Sequence, residues 1–234
     1  MQRVVTNLVR QALDDWLPPV LRESVPFGWL AKAWLGPQSI PDFKYRAFRM
    51  SDQEFSRSCG AVTGLYAQRA SDTTEQQARW ILDRVQAVTR AGKILEVGPG
   101  AGRMTRLLRE LGHEVVTLDL TPSGDHGAVV GVLERMPFAA GSFDLVVAAH
   151  VIEHVRSLTK ACLELARVSS RPVLLVTPRQ RFYRYTFDYH LHFFYSLDHL
   201  ASFLPDGTAE GKVLDRDFCL EWRPSGSGAP VRSS

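Results

Sequence analysis

A glycine-rich turn and an acidic residue that follows it are the residues whose types and spacing best suit chemistry. The segment from Glu96 to Gly102 reads EVGPGAG, and Asp119 comes twenty-one residues after Gly98. Glycines carry no Cβ, so the backbone can turn sharply there and approach a ligand closely. A carboxylate at the end of the next strand can accept hydrogen bonds from both hydroxyls of a ribose. The two features together predict a nucleoside site.

The elements that must position these residues are visible from Lys93 onward, where short apolar runs alternate with helical stretches. This alternation predicts an α/β fold with a parallel sheet covered by helices on both faces. In such a sheet, ligands bind beyond the carboxyl ends of the strands, so the turn and Asp119 face one crevice. The predicted strands are KILEVG, EVVTLDL, AVVGV, FDLVVAAH and RPVLLVT, with KVLDRD and CLEW as an antiparallel edge hairpin.

Dinucleotide binding is the obvious alternative for a glycine turn after a strand. Its pattern GxGxxG requires a glycine at position 103, where this chain has Arg103, and its strand does not normally end in an acid such as Glu96. Three glycines at a spacing of two suit a smaller ligand with a different charge.

Four ordered segments resemble the motifs of class I S-adenosylmethionine-dependent methyltransferases. ILEVGPGAGRMTRLL is similar to their first motif, VVTLDL to their second, and ERMPFAAGSFDLVVAAHVIEHV to their third and fourth. The resemblance covers roughly residues 90–205. It implies a Rossmann-like fold with a mostly parallel seven-stranded sheet, S-adenosylmethionine as the cofactor, and a methyltransferase activity.

The resemblance also implies how the cofactor is held. The glycine turn would line the methionine part, Asp119 would hold the ribose and Leu120 would pack on the adenine. Many relatives carry an aspartate after the third strand that accepts from the adenine amino group, but this chain reads GVLE there, so backbone and apolar contacts would replace it. The residues implied to bind or brace the cofactor are Tyr66, Glu96, Gly98, Gly100, Gly102, Asp119, Leu120, Leu133, Glu134 and His150.

Histidines are the candidate catalytic residues. His150 follows the fourth strand, and His190 matches the histidine of a segment that in the family folds over the acceptor. An imidazole is the natural base if a hydroxyl is methylated. HVIEH is also the H-x-x-E-H zinc signature of inverted metallopeptidases. Because the first histidine directly follows an apolar strand and the surrounding residues resemble a methyltransferase, we do not expect a metallopeptidase. A divalent metal ion is the less favoured alternative, since some quinone O-methyltransferases are similar at this spot and use an acidic cluster there; no metal is expected.

The acceptor is expected to be a small molecule that carries an acidic group or an aromatic ring, with O-methylation preferred. The arginines of RQRFYRY could hold a carboxylate or a phosphate on it. They could also form a nucleic-acid surface with the interleaved aromatic residues, but a net charge of only +3 favours the small acceptor. N- or C-methylation, an RNA or protein substrate, and a non-catalytic partner role remain as alternatives.

Composition gives the remaining expectations. With 45% hydrophobic and 23% charged residues, the chain is typical of soluble globular proteins. Three dispersed cysteines and the absence of a signal peptide or an apolar span predict a cytoplasmic protein. The predicted divisions are a helical lid and acceptor-pocket region over 1–90, the catalytic domain over 91–223 and a disordered tail over 224–234. Within the first, SDQE predicts a capping box for a helix that begins near 51 and reaches about 69.

Overall fold

The structure is a computed structural model that describes residues 16–29, 43–58, 73–121, 127–182 and 189–225. Its centre is one seven-stranded sheet with the spatial order β3-β2-β1-β4-β5-β7-β6. Strands β1 to β5 are parallel to one another. β7 pairs antiparallel with β5 on one side and with β6 on the other. The strands are β1 (Lys93–Val97), β2 (Glu114–Asp119), β3 (Ala128–Val130), β4 (Leu145–Ala149), β5 (Val173–Pro178), β6 (Gly207–Leu214) and β7 (Asp217–Pro224).

Helices cover both faces of the sheet, as the sequence predicts. The helices with complete bounds are α1 (Pro19–Arg22), α2 (Phe43–Ala47), α3 (Glu75–Val88), α4 (Arg103–Glu110), α5 (Leu158–Val168) and α6 (Leu197–Ala201). Further helical turns lie at 25–29 and 52–58. None of the helices in the described ranges has both the length and the apolar character needed to cross a membrane.

Alternation along the strands explains the two halves of the core. Successive side chains of a strand point to opposite faces. Thus Ile94 joins the apolar cluster beneath α3 and α4, and Leu95 joins the cluster beneath α5. β4 and β5 contribute to both clusters, since both faces of these central strands are covered.

Capping chemistry sets the start of α3. The Thr74 hydroxyl accepts from the Gln77 amide, and the Gln77 side chain accepts from the Thr74 amide, which is a capping box. A similar exchange joins Ser51 and Glu54 before the turns at 52–58, as the sequence predicts. The part of that predicted helix beyond Ser58 and residues 226–234 of the predicted tail lie outside the described residues.

A tight turn joins the edge hairpin. Asp215 and Arg216 both have positive φ, at 49° and 73°, which is the backbone of a two-residue type I′ turn. β7 then pairs antiparallel with β5 along the length of both strands. This pairing places Asp217 opposite Pro178, at the carboxyl edge of the sheet.

Candidate cofactor and acceptor site

The glycine turn after β1 has the left-handed backbone that its glycines allow. Gly98, Gly100 and Gly102 have φ of 66°, 54° and 73°. The Gly98 amide donates to the carbonyl of Leu118 at 2.8 Å, which ties the turn to the end of β2. A Cβ at Gly98 would lie 2.6 Å from Cγ2 of Val151, whereas one at Gly100 would meet no atom of the described residues within 4 Å. The turn therefore touches the loop after β4 on one side and leaves open space for a ligand on the other.

Glu96 points away from that space. It is buried on β1, and its carboxylate accepts a hydrogen bond from the Thr105 hydroxyl on α4. The contact joins the strand before the glycine turn to the helix after it. This geometry suits the bracing role that the sequence predicts for Glu96.

Asp119 and Leu120 end β2 beside the same crevice. Oδ1 of Asp119 accepts from the amide of Thr121 at 3.0 Å and from its hydroxyl at 3.1 Å, so the carboxylate is held in one orientation. Leu120 packs against a small apolar cluster from the N-terminal helices that contains Phe43 and Phe55. The Ser56 hydroxyl donates to the Leu120 carbonyl at 3.3 Å. Part of the N-terminal region thus covers the end of β2, where a nucleoside is expected.

Leu133 and Glu134 lie in the turn after β3 and are already engaged within the protein. The Leu133 side chain is buried in the core. Glu134 accepts from the amides of Arg156 at 2.8 Å and Ser157 at 3.4 Å, at the start of α5. A carboxylate there satisfies amides that have no partner within the helix. The expected contact of this turn with the adenine edge stays a prediction.

His150 occupies the carboxyl end of β4 in an uncommon conformation. Its φ is 58°, a left-handed backbone that few residues other than glycine adopt. Its amide donates to Val176 on β5 at 2.7 Å. Its Nδ1 lies 3.5 Å from Oε1 of Glu153, and its Nε2 lies 3.5 Å from Oδ2 of Asp217. The ring therefore stands between two carboxylates, next to the Val151 side chain that contacts Gly98.

Glu153 is the centre of this arrangement. Its side chain is fully buried, and its Oε2 accepts from the Thr177 hydroxyl at 3.2 Å. Burial alone would raise the pKa of Glu153, but the interaction with His150 and the charges of His154, His150 and His190 outweigh burial and lower the pKa to about 2. Glu153 is therefore an anion at neutral pH.

His190 joins the same cluster from a segment far along the chain. The His190 ring packs edge-on against that of His154, with 4.8 Å between centroids. Its Nδ1 lies 2.5 Å from Oε1 of Gln180, and Nδ1 of His154 lies 3.2 Å from the carbonyl of Tyr189. The two predicted catalytic histidines, His150 and His190, thus meet around one buried carboxylate.

Sequence reasoning missed three polar residues that hold this cluster. Gln77 on α3 donates to Oδ2 of Asp217 at 2.8 Å, and Gln180 contacts His190. All three are buried, which is unusual for Gln and Asp and marks them as structural or functional partners. The sequence signal of two of them is position alone: Asp217 is the last residue of the predicted segment KVLDRD, and Gln180 comes three residues after the predicted strand RPVLLVT.

Other predicted features contribute less. Tyr66 lies outside the described residues, so its expected contact with the methionine end stays a prediction. Arg179 and Arg181 are exposed, whereas Arg184 is outside the described ranges. Burial raises the pKa of Cys162 and of Cys219 to about 12, so neither thiol is a nucleophile at neutral pH.

Comparison with known proteins agrees with the fold. A family described as "Methyltransferase domain" matches residues 95–176. No curated protein matches the sequence.

Several solved structures are similar at low identity. A protein of Pyrococcus horikoshii is 17% identical, with a TM-score of 0.50, over 66% of this chain and 94% of that chain. An S-adenosylmethionine-dependent methyltransferase of Methanosarcina mazei is 15% identical, with a TM-score of 0.50, over 62% and 96%. A Rhodobacter sphaeroides protein described as a zinc-dependent alcohol dehydrogenase is 11% identical, with a TM-score of 0.53, over 67% and 91%. At these identities the similarity shows the fold alone.

The matched segment runs from β1 to β5 and contains the glycine turn, Asp119 and His150. The left-handed glycines, and the open space above Gly100, fit a ligand that rests on bare main chain. The cofactor of this family is S-adenosylmethionine, and the enzyme class is that of methyltransferases. Over residues 95–176 the chain is therefore similar to a methyltransferase domain, and this segment contributes the parallel strands β1 to β5 of the sheet.

Proposed function

We propose that this enzyme methylates a small-molecule acceptor, with oxygen as the preferred methylated atom. The observation that carries the proposal is the buried Glu153 with His150, His154 and His190 around it, beside the glycine turn. A hydroxyl is a poor nucleophile until its proton is removed, and a histidine group at the reacting centre can accept that proton. An amine or carbon acceptor has less need of such a group.

The cofactor, when bound, supplies a methyl group on a positively charged sulfur and needs no further activation. The protein's own residues must align the acceptor with that methyl group and exclude water. The turn at Gly98–Gly102 would hold the methionine part, Asp119 the ribose, and Leu120 the adenine. Val151 lies against Gly98, so a cofactor whose methionine part rested on the glycine turn would have His150 and Glu153 near that part.

His150 and His190 are the candidate proton acceptors. His150 directly precedes Val151, the residue that lies against the glycine turn. The carboxylates of Asp217 and Glu153 lie on either side of the His150 ring. His190 is held through Nδ1 by Gln180, so in its neutral form Nε2 is the nitrogen that can accept a proton.

Residues near His190 support an acceptor with an acidic group or a ring. The Lys44 ammonium lies 4.3 Å from the centroid of the Phe182 ring and 5.3 Å from that of Phe193. The Phe193 ring is 6.5 Å from the His190 ring. A largely buried cation beside two aromatic rings can pair with a carboxylate or phosphate while the rings pack on an aromatic acceptor.

Replacing the ribose ligand tests the donor half of the proposal. Asp119→Ala should weaken S-adenosylmethionine binding by about tenfold or more, because a bidentate contact between a charged group and two hydroxyls is lost. Titration calorimetry measures the affinity. Asp144→Ala is the matched control, since Asp144 lies at the opposite end of β4 and accepts from the Lys93 amide. Equal affinities of Asp119→Ala and the wild type would contradict the assigned donor site.

A panel of methyl acceptors tests the other half. With labelled donor, phenols and hydroxylated aromatic acids should be methylated, and the matching anilines, an RNA pool and a peptide pool should not. Products are identified by mass spectrometry. Methylation of RNA alone would replace the small acceptor by a nucleic acid, and that result would agree with the exposed Arg179 and Arg181.

A further inference from the structure

Three side chains at the carboxyl edge of the sheet bring together atoms that can bind a metal ion. One atom each from Glu153, His154 and His190 lies within 4.8 Å of the other two. Glu153 and His190 are buried, and the His154 side chain is 38% exposed, which gives solvent a route to the cluster. His150 is not one of the three, so this group is different from the pair of histidines in the H-x-x-E-H signature.

Among the residues that the structure describes, one oxygen of the Glu153 carboxylate has no hydrogen-bond partner. Oε2 accepts from Thr177, but the fully buried Oε1 has no such partner. Nδ1 of His150 is 3.5 Å from Oε1 and Nε2 of His154 is 4.0 Å from it, and both distances are longer than an ordinary hydrogen bond. A buried anionic oxygen in that position is costly unless a cation compensates it.

The contacts of the two histidines favour the tautomer in which Nε2 can bind a metal ion. Nδ1 of His154 faces the Tyr189 carbonyl, and Nδ1 of His190 faces the Gln180 amide oxygen. Both partners only accept hydrogen bonds, so each Nδ1 carries the proton and Nε2 carries the lone pair in the neutral ring. Metal-bound histidines are commonly held in this way, by donation of the other ring N–H to a carbonyl oxygen.

The distances suit an ion between these atoms. Bonds of about 2.0–2.2 Å from one ion to each of two ligands span up to about 4.4 Å. The 4.0 Å from Oε1 of Glu153 to Nε2 of His154 is within that span. The largest separation of 4.8 Å requires a side-chain movement of about half an ångström.

We propose that Glu153, His154 and His190 form a site for a divalent transition-metal ion such as Zn²⁺ or Fe²⁺. Two imidazoles and one carboxylate are the ligands of catalytic zinc sites and of non-haem ferrous sites, both of which leave coordination positions open. Gln180 is the residue that orients His190 as a ligand.

The site has a consequence for the acceptor that rests on the proposed function. An acceptor hydroxyl bound at an open position would have its pKa lowered by the ion. His190 would then be a ligand, and His150 would remain as the proton acceptor. Metal binding itself does not depend on what is methylated, so the two proposals fail separately.

The test is metal binding by the full chain after removal of metals with a chelator. Co²⁺ is the probe, followed by titration calorimetry and by its visible absorption bands. We expect one ion per chain at micromolar affinity, with bands of intensity typical of four or five ligands. Glu153→Gln and His154→Gln should each lower the affinity about 100-fold, and Gln180→Ala about tenfold, since a residue that only orients a ligand has the smaller effect.

His199→Gln is the matched control, because His199 is a half-buried histidine on α6 that is not among the three ligands. Circular dichroism confirms the fold of each variant, and the partly exposed His154 keeps the test valid if Glu153→Gln does not fold. Binding weaker than about 1 mM, or affinity equal to the wild type in His154→Gln and Glu153→Gln, would overturn the site. Separate titration with S-adenosylmethionine reports on the donor site.

Discussion

The two edges of the parallel strands use charge in opposite ways. At the amino edge, Lys93 and Glu114 form an ion pair at 3.2 Å whose side chains are 44% and 67% exposed. At the carboxyl edge, Glu153 and Asp217 are buried and face the ring of His150. Solvent screens the first pair, so it adds little to stability. The buried carboxylates lower the stability of the fold unless they are fully paired. Because proteins keep such groups mainly where function needs them, they indicate a functional edge.

The glycines provide the largest expected difference between the edges. Gly98→Ala should lower donor affinity more than tenfold, because its Cβ would overlap Val151 and shift the turn. Gly141→Ala near the amino edge is the matched control, since Gly141 also has a positive φ, at 61°, but no atom within 4 Å of a Cβ. Both substitutions should cost about 1–2 kcal/mol of stability through the left-handed backbone. Calorimetry and thermal unfolding measure the two effects.

A second substitution separates overlap from backbone strain. In Gly98→Ala/Val151→Ala the closest remaining atom would be the Val151 Cβ at 3.8 Å, an ordinary contact. Part of the lost donor affinity should return. If the double variant binds no better than Gly98→Ala, the contact with Val151 is not what fixes the turn.

Among the effects on stability, the largest is expected at the buried acid Asp217. Asp217→Ala removes the acceptor of Gln77 and a carboxylate beside His150, and should cost about 2–4 kcal/mol of unfolding free energy. Glu114→Ala at the amino edge should cost less than about 0.5 kcal/mol. Urea unfolding of both variants measures this contrast. Similar costs for the two would remove the distinction between the edges.

The smallest expected effect is the pH dependence of the stability that Glu164 contributes near the amino edge. A hydrogen bond from Arg167 lowers the pKa of Glu164, and burial opposes this. Because the folded pKa is below the ordinary value of 4.5, the stabilisation is complete above that pH and is lost as the pH falls through the folded pKa. Glu164→Gln should therefore be less stable by up to about 1 kcal/mol at pH 7.

The difference between Glu164→Gln and the wild type should shrink in acid, when the wild-type carboxyl is protonated. Urea midpoints measured from neutral pH down to about pH 3 follow this change. A constant difference over the whole range would show that packing, and not charge, accounts for the effect.

The strands were predictable from the sequence because their signal is local. Runs such as KILEVG and RPVLLVT are apolar, short and bounded by polar residues, and the structure confirms them as β1 and β5. The edge hairpin was predictable for the same reason. The glycine turn was recognisable because its glycines and Glu96 lie within seven residues, as the motif of the family requires.

The cluster around Glu153 could not be assembled from the sequence. His190 is 37 residues from Glu153 and Asp217 is 64 residues away, so their meeting depends on how β5, β7 and the loop after β5 pack. In the structure, the left-handed backbone at His150 turns its ring toward Asp217, whereas His154 faces Tyr189.

The antiparallel hairpin affects the order in which this sheet can be completed during synthesis. β5 is buried along its whole length, and one of its two hydrogen-bonding edges is paired only with β7. A ribosome makes β5 about forty residues before β7 has emerged, so a nascent chain carries an apolar strand with one uncovered edge for that interval. Such an edge is open to pairing with a neighbouring chain. The last strand to be made is therefore also the one that protects the middle of the sheet from aggregation.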